Sequence, residues 1–276
     1  MAFPECLPRE AHARVSGGDM SAIKREERIG GQRLILGDCL EVMKELGKVD
    51  AVVTDPPYSL SVAGSRNVNR KGTRNLDFFA GDDDWKSMTD MVGRAVMMAA
   101  GKEPRSMVIW CGHRQIGRIV SDLENEGFST RLLCWKKIFP PPSAPGSGFT
   151  SAFEQAVYAY RSGRQWNGGQ YTHSVFEADS YRFGQPGKVA HPTQKPLSLI
   201  EWNIRILTNE GNAILDPFMG SGTTLVACQR MGRSGTGIEL APDYFDIACR
   251  RVDEATRQPD MFVQQAPQAE QTGFDL

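Results

Sequence analysis

The sequence of 276 residues lacks several features that would assign it to a broad class of proteins at once. Its formal net charge is only −1, so the global positive charge typical of nucleic-acid binders is missing, and any such contact must come from local basic patches. The six cysteines include no CxxC pair, which argues against a zinc site and favours reduced thiols. No apolar run approaches membrane-spanning length and the N-terminus lacks a signal-peptide core. We therefore expect a cytoplasmic protein without a bound metal or a membrane partner.

What is present is a regular alternation of strand-like and helix-like segments from residue 33 onwards. This order predicts an α/β fold, a Rossmann-like doubly wound and mostly parallel sheet with helices on both faces. We expect a flexible leader over residues 1–31, a single domain over 32–256 and a disordered tail over 257–276. Within the domain, residues 59–80 and 136–190 have no clear periodicity over much of their length, and we expect long functional loops there.

The most distinctive stretch is Asp55-Pro56-Pro57-Tyr58, which directly follows an apolar run. The two prolines lack amide donors, so they end the strand in a stiff corner, and ligands of open α/β sheets bind at such strand ends. The Asp55 carboxylate and the Pro56 carbonyl can each accept one N–H of an exocyclic amine, while Tyr58 stacks on the flat ring. Such positioning makes a conjugated amine a better nucleophile. The alternative is that these four residues form only a tight turn.

Three further acids, Asp38, Asp216 and Glu239, also stand at the ends of predicted strands. Parallel strands would bring them to one edge of the sheet. For Asp38 the alternative role is a helix N-cap. In the turn after Asp216, Gly220 and Gly222 would let the backbone approach a ligand, and the free amides of that turn favour a carboxylate or phosphate. Glu239 is placed where a βαβ unit presents an acid to ribose hydroxyls.

Basic residues form the candidate DNA contacts. They are Arg66, Arg70, Lys71, Arg74, Lys136 and Lys137. A basic loop that begins at the Asp55 corner could close over phosphates and bases, although a solvated loop is the alternative. Further along, the segment His191-Pro192-Thr193-Gln194-Lys195-Pro196 precedes a predicted helix, and its lysine and hydroxyl suit an anion site. His191 by itself is more typical of a structural hydrogen bond.

Together these motifs resemble one enzyme family. The string DPPY, followed far downstream by HPTQKP and DPFMGSGTT, is similar to the β-type arrangement of S-adenosylmethionine-dependent DNA amino-methyltransferases. These enzymes modify adenine N6 or cytosine N4 and are found in restriction-modification systems. The resemblance covers residues 33–58 and 191–252, and it implies that residues 59–80 and 136–190 carry target recognition. It also implies that the cofactor is S-adenosylmethionine and that the partner is double-stranded DNA, from which the target base is flipped out. A homodimer is compatible with the resemblance.

The resemblance also assigns roles to residues of this sequence. Asp55, Pro56, Pro57 and Tyr58 would form the methyl-transfer site. The residues assigned to the cofactor are Asp38, Thr193, Lys195, Asp216, Phe218, Gly220, Ser221, Gly222, Thr223 and Glu239. Within this set Asp38 would accept from the cofactor's adenine, Glu239 would hold the ribose hydroxyls, and Thr193 and Lys195 would assist at its carboxylate.

Asp at the first motif position is more usual for adenine N6 in this family, and Ser for cytosine N4, so adenine is the expected target and cytosine N4 the alternative. A nicotinamide-dependent dehydrogenase would use a similar turn, but it leaves DPPY unexplained, and the turn lacks the third glycine of such enzymes. A non-catalytic DNA-binding module that keeps the fold is a further hypothesis. A methyltransferase that acts on RNA or on a protein amide would also be compatible with the Asp55 corner.

Overall fold

The structure is a computed structural model that describes residues 22–57, 84–140, 149–179 and 194–257. In chain order the elements are β1 (Ile23–Ile29), β2 (Gln32–Gly37), α1 (Cys39–Glu45), β3 (Ala51–Thr54), α2 (Asp84–Ala100), β4 (Ser106–Cys111), α3 (His113–Asn125), β5 (Ser129–Lys137), β6 (Phe153–Tyr160), β7 (Val175–Ala178), α4 (Leu197–Leu207), β8 (Ala213–Asp216), α5 (Thr223–Arg230), β9 (Ser234–Glu239) and α6 (Pro242–Arg257). Within these residues, all the strands belong to one sheet of order β1-β2-β9-β8-β3-β4-β6-β5-β7.

The centre of the sheet is parallel, and its outer strands are mixed. Strands β2, β9, β8, β3 and β4 pair in parallel. At one edge β1 is antiparallel to β2, and towards the other edge β6 is antiparallel to both β4 and β5. Parallel neighbours need crossover connections, and helices supply them here. The predicted α/β class with a mostly parallel sheet is confirmed.

Helices cover both faces of the sheet because successive strand residues point to opposite sides. On β3, Val52 packs in a cluster with residues of α1, α2 and α3, while Val53 packs in a second cluster with residues of α4 and α5. Helix α6 packs beside α5 over β2, where Leu34 contacts it. The apolar runs of β3 and β4 are therefore those of strands buried on both faces.

Two expectations about irregular segments are wrong. Residues 23–29, which we placed in the flexible leader, form the edge strand β1, joined to β2 by a turn at Gly30-Gly31. Gly30 has a φ of 58°, a conformation that glycine adopts without strain, and the charged residues of β1 suit an exposed edge. Residues 175–178, which we expected to be irregular, form β7 beside β5. Strand β1 is too polar, and the four residues of β7 are too few, to show the apolar alternation of a strand.

The rest of the expected leader and tail, residues 1–21 and 258–276, lies outside the described residues, as do residues 58–83, 141–148 and 180–193. Among the helices that are described, none combines the length and the apolar composition required to cross a membrane.

Candidate active site

Four acids lie at the carboxyl ends of four neighbouring strands, as their positions in the sequence predict. Asp38 follows β2, Asp55 follows β3, and Asp216 and Glu239 end β8 and β9. Because the order of these strands is β2-β9-β8-β3, the acids line one edge of the sheet. A hydrogen bond from Thr54 Oγ1 to Asp216 Oδ1, 2.7 Å long, joins two of these strand ends across 162 residues of sequence.

Asp216 is the most enclosed of the four acids, with 3% of its surface exposed. Burial raises the pKa of Asp216 to about 6, although hydrogen bonds from Thr224, Thr54 and the Phe218 amide oppose the rise. The negative charge of nearby Asp55 raises it further. The ionised form of Asp216 is therefore poorly compensated within the protein, and a positively charged group at this edge would stabilise it.

Asp55 forms an ion pair with Lys195, a residue from the segment before α4. The Lys195 ammonium lies 2.8 Å from Oδ1 and 2.7 Å from Oδ2 of Asp55, and 3.0 Å from Glu154 Oε2. Only 3% of the Lys195 side chain is exposed, against 24% for Asp55 and 25% for Glu154. Burial raises the pKa of Asp55, Lys195 opposes this rise and Glu154 adds to it. The sequence assigns Lys195 to the cofactor's carboxylate, whereas its described ion pairs are with Asp55 and Glu154, so the cofactor role stays a prediction.

The corner itself is held by a residue of α3 that the motifs did not indicate. Gln115 Nε2 donates to the Pro57 carbonyl over 3.1 Å, and Gln115 Oε1 accepts from the Gly112 amide at the same distance. Among the described residues no donor contacts the Pro56 carbonyl, and its role as an acceptor for an amine stays a prediction. Gln115 is a buried polar residue on the apolar face of α3, one helical turn before Ile119, and this is the sequence signal that could have identified it.

The glycine-rich turn after β8 differs in part from its prediction, because four of its amides are already bonded within the protein. Acceptors within the protein contact the amides of Phe218, Met219, Gly220 and Gly222. In particular, Gly220 N donates to Glu239 Oε2 over 3.0 Å, and Ala241 N donates to Glu239 Oε1 over 2.7 Å. These four amides are therefore not available to a carboxylate or phosphate, the anion role of the turn stays a prediction, and the described edge is rich in acceptors.

Gly222, Ser221 and Thr223 pack against α6. Gly222 has a φ of 79°, and a Cβ atom added to it would lie 2.9 Å from the Ala248 Cβ, so the glycine permits close packing of α5 on α6. Arg251 Nη1 contacts the hydroxyls of Ser221 and Thr223 at 3.0 and 3.1 Å. These contacts are structural, and a cofactor role for the three residues stays a prediction.

The other predicted residues divide into those that the structure describes and those that it does not. Asp38 caps α1 by accepting from the Leu40 amide at 2.8 Å, which confirms the alternative role and leaves the adenine contact a prediction. Lys136 is exposed beside Glu177, whereas Lys137 pairs with Glu154 at 2.9 Å. Tyr58, Arg66, Arg70, Lys71, Arg74 and Thr193 lie outside the described residues.

The acceptor-rich edge fits S-adenosylmethionine, whose hydroxyls and amine are donors and whose sulfur is positively charged. The Glu239 carboxylate accepts from the amides of Gly220, Ala241 and Leu240, and its two oxygens have about four lone pairs, so one stays available for a hydroxyl. Asp216 supplies the poorly compensated negative charge. The described residues contain no group of three or more His, Cys, Asp or Glu side chains suited to a metal ion.

Comparisons with known proteins identify the family of this chain. A family model described as a DNA methylase matches residues 49–250. The Type II methyltransferase M2.LlaDCHI of Lactococcus lactis subsp. cremoris is 27% identical over 245 residues, which cover 80% of this chain and 89% of that protein. The Type II methyltransferase M.HinfI of Haemophilus influenzae is 28% identical over 262 residues, covering 82% of this chain and 70% of that protein.

A solved structure gives the same result. The crystal structure of the M1.HpyAVI-SAM complex is similar, with a TM-score of 0.62 and 29% identity over 80% of this chain and 99% of that one. Since the family model matches well over half of the sequence, the chain belongs to the family of S-adenosylmethionine-dependent DNA amino-methyltransferases that act on adenine N6 or cytosine N4.

Proposed function

We propose that this protein methylates N6 of an adenine that is flipped out of duplex DNA. The observation that carries the proposal is the Thr54–Asp216 hydrogen bond of 2.7 Å, which joins the strand before the DPPY corner to the strand before the glycine-rich turn. Asp55 at the first motif position favours adenine N6 over cytosine N4. The Type II methyltransferases among the similar proteins support a role in restriction-modification.

The corner acts on the target amine by position rather than by strong basicity. The Asp55 carboxylate and the Pro56 carbonyl each accept one N–H, which turns the nitrogen lone pair out of the plane of the base. When bound, S-adenosylmethionine supplies a methyl group on a positively charged sulfur; the amine nitrogen bonds to that carbon, the carbon–sulfur bond breaks and its electron pair stays on sulfur. Asp55 accepts the proton that the methylated nitrogen loses and passes it to water, which its raised pKa favours.

The remaining assigned groups hold the two substrates. Glu239 accepts from the ribose hydroxyls of the cofactor, Asp38 accepts from its adenine amine, and Asp216 faces its positive charge. Tyr58 stacks on the flipped base and replaces part of the stacking that the base loses on leaving the duplex. Lys136, which is exposed at the end of β5, contacts a DNA phosphate.

Analysis of the methylated product tests the target. The protein is incubated with S-adenosylmethionine and unmethylated duplex DNA, and the digested nucleosides are separated by chromatography and mass spectrometry. We expect N6-methyladenine. Exclusive N4-methylcytosine would overturn the choice of base, and methylation of RNA or peptide without methylation of DNA would overturn the choice of substrate.

The variant Asp55→Ala tests the corner. We expect it to retain cofactor binding by calorimetry and to lose about a thousandfold or more in methyl transfer, because one of two acceptors for the amine is gone. Glu154 remains as a partner for Lys195, so the variant should fold. The control is Asp90→Ala, which removes an exposed acid on α2. Wild-type activity in Asp55→Ala would remove this residue from the mechanism.

A further inference from the structure

The pair between Asp55 and Lys195 conflicts with the role that the proposed function gives to Asp55. Both carboxylate oxygens of Asp55 lie within 2.8 Å of the Lys195 ammonium. Both oxygens of Asp55 already accept from the Lys195 ammonium, so the target amine must share an oxygen with it, and this sharing weakens at least one of the two contacts. An ammonium with only 3% of its side chain exposed cannot replace that contact with bulk water.

Glu154 supplies the second carboxylate that this exchange needs. Its Oε2 lies 3.0 Å from the Lys195 ammonium, on the same enclosed lysine that contacts Asp55. Lys195 therefore stays paired with a negative charge if its contact with Asp55 lengthens. Breaking a buried ion pair without a replacement is strongly unfavourable. A shift of the Lys195 ammonium from one carboxylate towards another that it already contacts avoids this cost.

The position of Glu154 depends on the sheet. It lies on β6, and the next residue, Gln155, pairs with Cys111 at the carboxyl end of β4. Strand β4 is the parallel neighbour of β3, whose end carries Asp55. The antiparallel direction of β6 thus brings the start of this strand to the edge where the four parallel strands present their acids.

Lys137 holds Glu154 in its charged form. Its ammonium lies 2.9 Å from Glu154 Oε1, so each oxygen of Glu154 contacts a different lysine. Burial favours the neutral acid, but Lys195 and Lys137 outweigh burial, and the pKa of Glu154 is lowered. Lys137 thus contacts Glu154, Glu154 contacts Lys195, and Lys195 contacts Asp55, so positive and negative charges alternate along this row of side chains.

We propose that Glu154 is a positioning residue for methyl transfer, which holds the Lys195 ammonium while the target amine takes its place on Asp55. The proposal rests on the proposed function, because it concerns the step at which the amine reaches Asp55. Nothing in the sequence around Glu154 indicates this role, since it is a single acid at the start of an apolar strand.

The first test is Glu154→Gln in the full-length protein. With Asp55 as its remaining described carboxylate partner, Lys195 stays on Asp55 and the amine competes poorly. We expect kcat to fall by about tenfold or more, while the KM for DNA and the Kd for S-adenosylmethionine change by less than about twofold. An equal kcat in wild type and Glu154→Gln would overturn the proposal, as would a loss confined to the KM for DNA.

A double-mutant cycle with Lys195→Met separates positioning from a general loss of structure. If Glu154 acts through Lys195, adding Glu154→Gln to Lys195→Met should lower kcat by less than about twofold. Full addition of the two losses would overturn the proposal. The conservative variant Glu154→Asp keeps the charge and should recover kcat to within about threefold of wild type; no recovery, with normal thermal unfolding, would count against it.

The matched control is Glu201→Gln on α4. Glu201 is enclosed to a similar degree, 22% exposed, and its ion pair is with Arg230 rather than with a residue of the site. We expect wild-type kcat. If wild-type protein itself fails to methylate DNA, the proposed function fails; if wild type is active and Glu154→Gln is equally active, only the role of Glu154 fails.

Discussion

Replacing Asp216 by Asn is expected to stabilise the folded protein at neutral and alkaline pH. The pKa of Asp216 is raised from 3.8 to about 6, so the folded state favours the protonated acid. As pH rises from about 4 to about 6 the unfolded chain ionises first, and stability is lost across this window. At 1.36 kcal/mol per pKa unit the full loss is about 3 kcal/mol at pH above the folded pKa. Asn carries no charge and avoids this cost.

The substitution preserves the contacts that hold the site. Thr54 Oγ1 and the Phe218 amide both donate to Oδ1, which Asn retains as its amide oxygen. The new amide nitrogen can donate to the Thr224 hydroxyl, which already contacts the Asp216 carboxyl. The predicted gain therefore comes from charge and not from altered packing.

Urea unfolding of wild type and Asp216→Asn at a series of pH values measures the effect. We expect a difference in unfolding free energy of up to about 3 kcal/mol at about pH 8 that shrinks towards zero near about pH 4. Asp90→Asn, which changes an exposed acid, should shift stability by less than about 0.5 kcal/mol. Equal pH dependence in wild type and Asp216→Asn, or a less stable variant at pH 8, would refute the reasoning.

The same variant should lose function as it gains stability. Asp216→Asn removes the poorly compensated negative charge that faces the positively charged cofactor, and we expect the Kd for S-adenosylmethionine to rise by about tenfold. Calorimetric titration measures this change. An unchanged Kd would show that Asp216 does not hold the cofactor, and it would leave the stability argument intact.

Two further substitutions test the supports of the site. Gly222→Ala should lower the unfolding free energy by about 1–3 kcal/mol, because its φ of 79° disfavours Ala and the new Cβ would lie 2.9 Å from Ala248 Cβ. The control is Gly117→Ala in α3, where the added Cβ has open space. This variant should stabilise the protein by about 0.5–1 kcal/mol. Equal effects at the two glycines in urea unfolding would contradict this. Gln115→Ala removes the described donor to the Pro57 carbonyl. We expect a loss of about 1–3 kcal/mol in stability and of about tenfold in kcat, with an unchanged Kd for S-adenosylmethionine. A normal kcat would exclude Gln115 as a support of the Asp55 corner.

Much of the site could be predicted from the sequence because its signals are local. Prolines end β3 at Asp55, and an acid stands at the end of each of three other strands, Asp38, Asp216 and Glu239. Parallel strands share the direction of their carboxyl ends, so the alternation of strands and helices was enough to place these acids on one edge. The edge strand β1 was missed because five of its seven residues are charged and hide the apolar alternation of a strand.

The contacts across the site could not be predicted, because they join residues that are distant in the chain. Lys195 and Asp55 are 140 residues apart, and the charge of Lys195 suited an anion equally well before its partners were known. The turn amides were expected to be free, since the sequence does not show that Glu239 accepts from Gly220.

The amino-acid sequence by itself determined which groups stand at the strand ends, since the backbone limits of proline and glycine and the period of apolar residues act over a few neighbours. Only the tertiary structure decided how these groups are paired. Glu154 reaches Lys195 because β6 runs antiparallel beside β4, and strand order and direction are set by packing of the whole sheet rather than by any short segment.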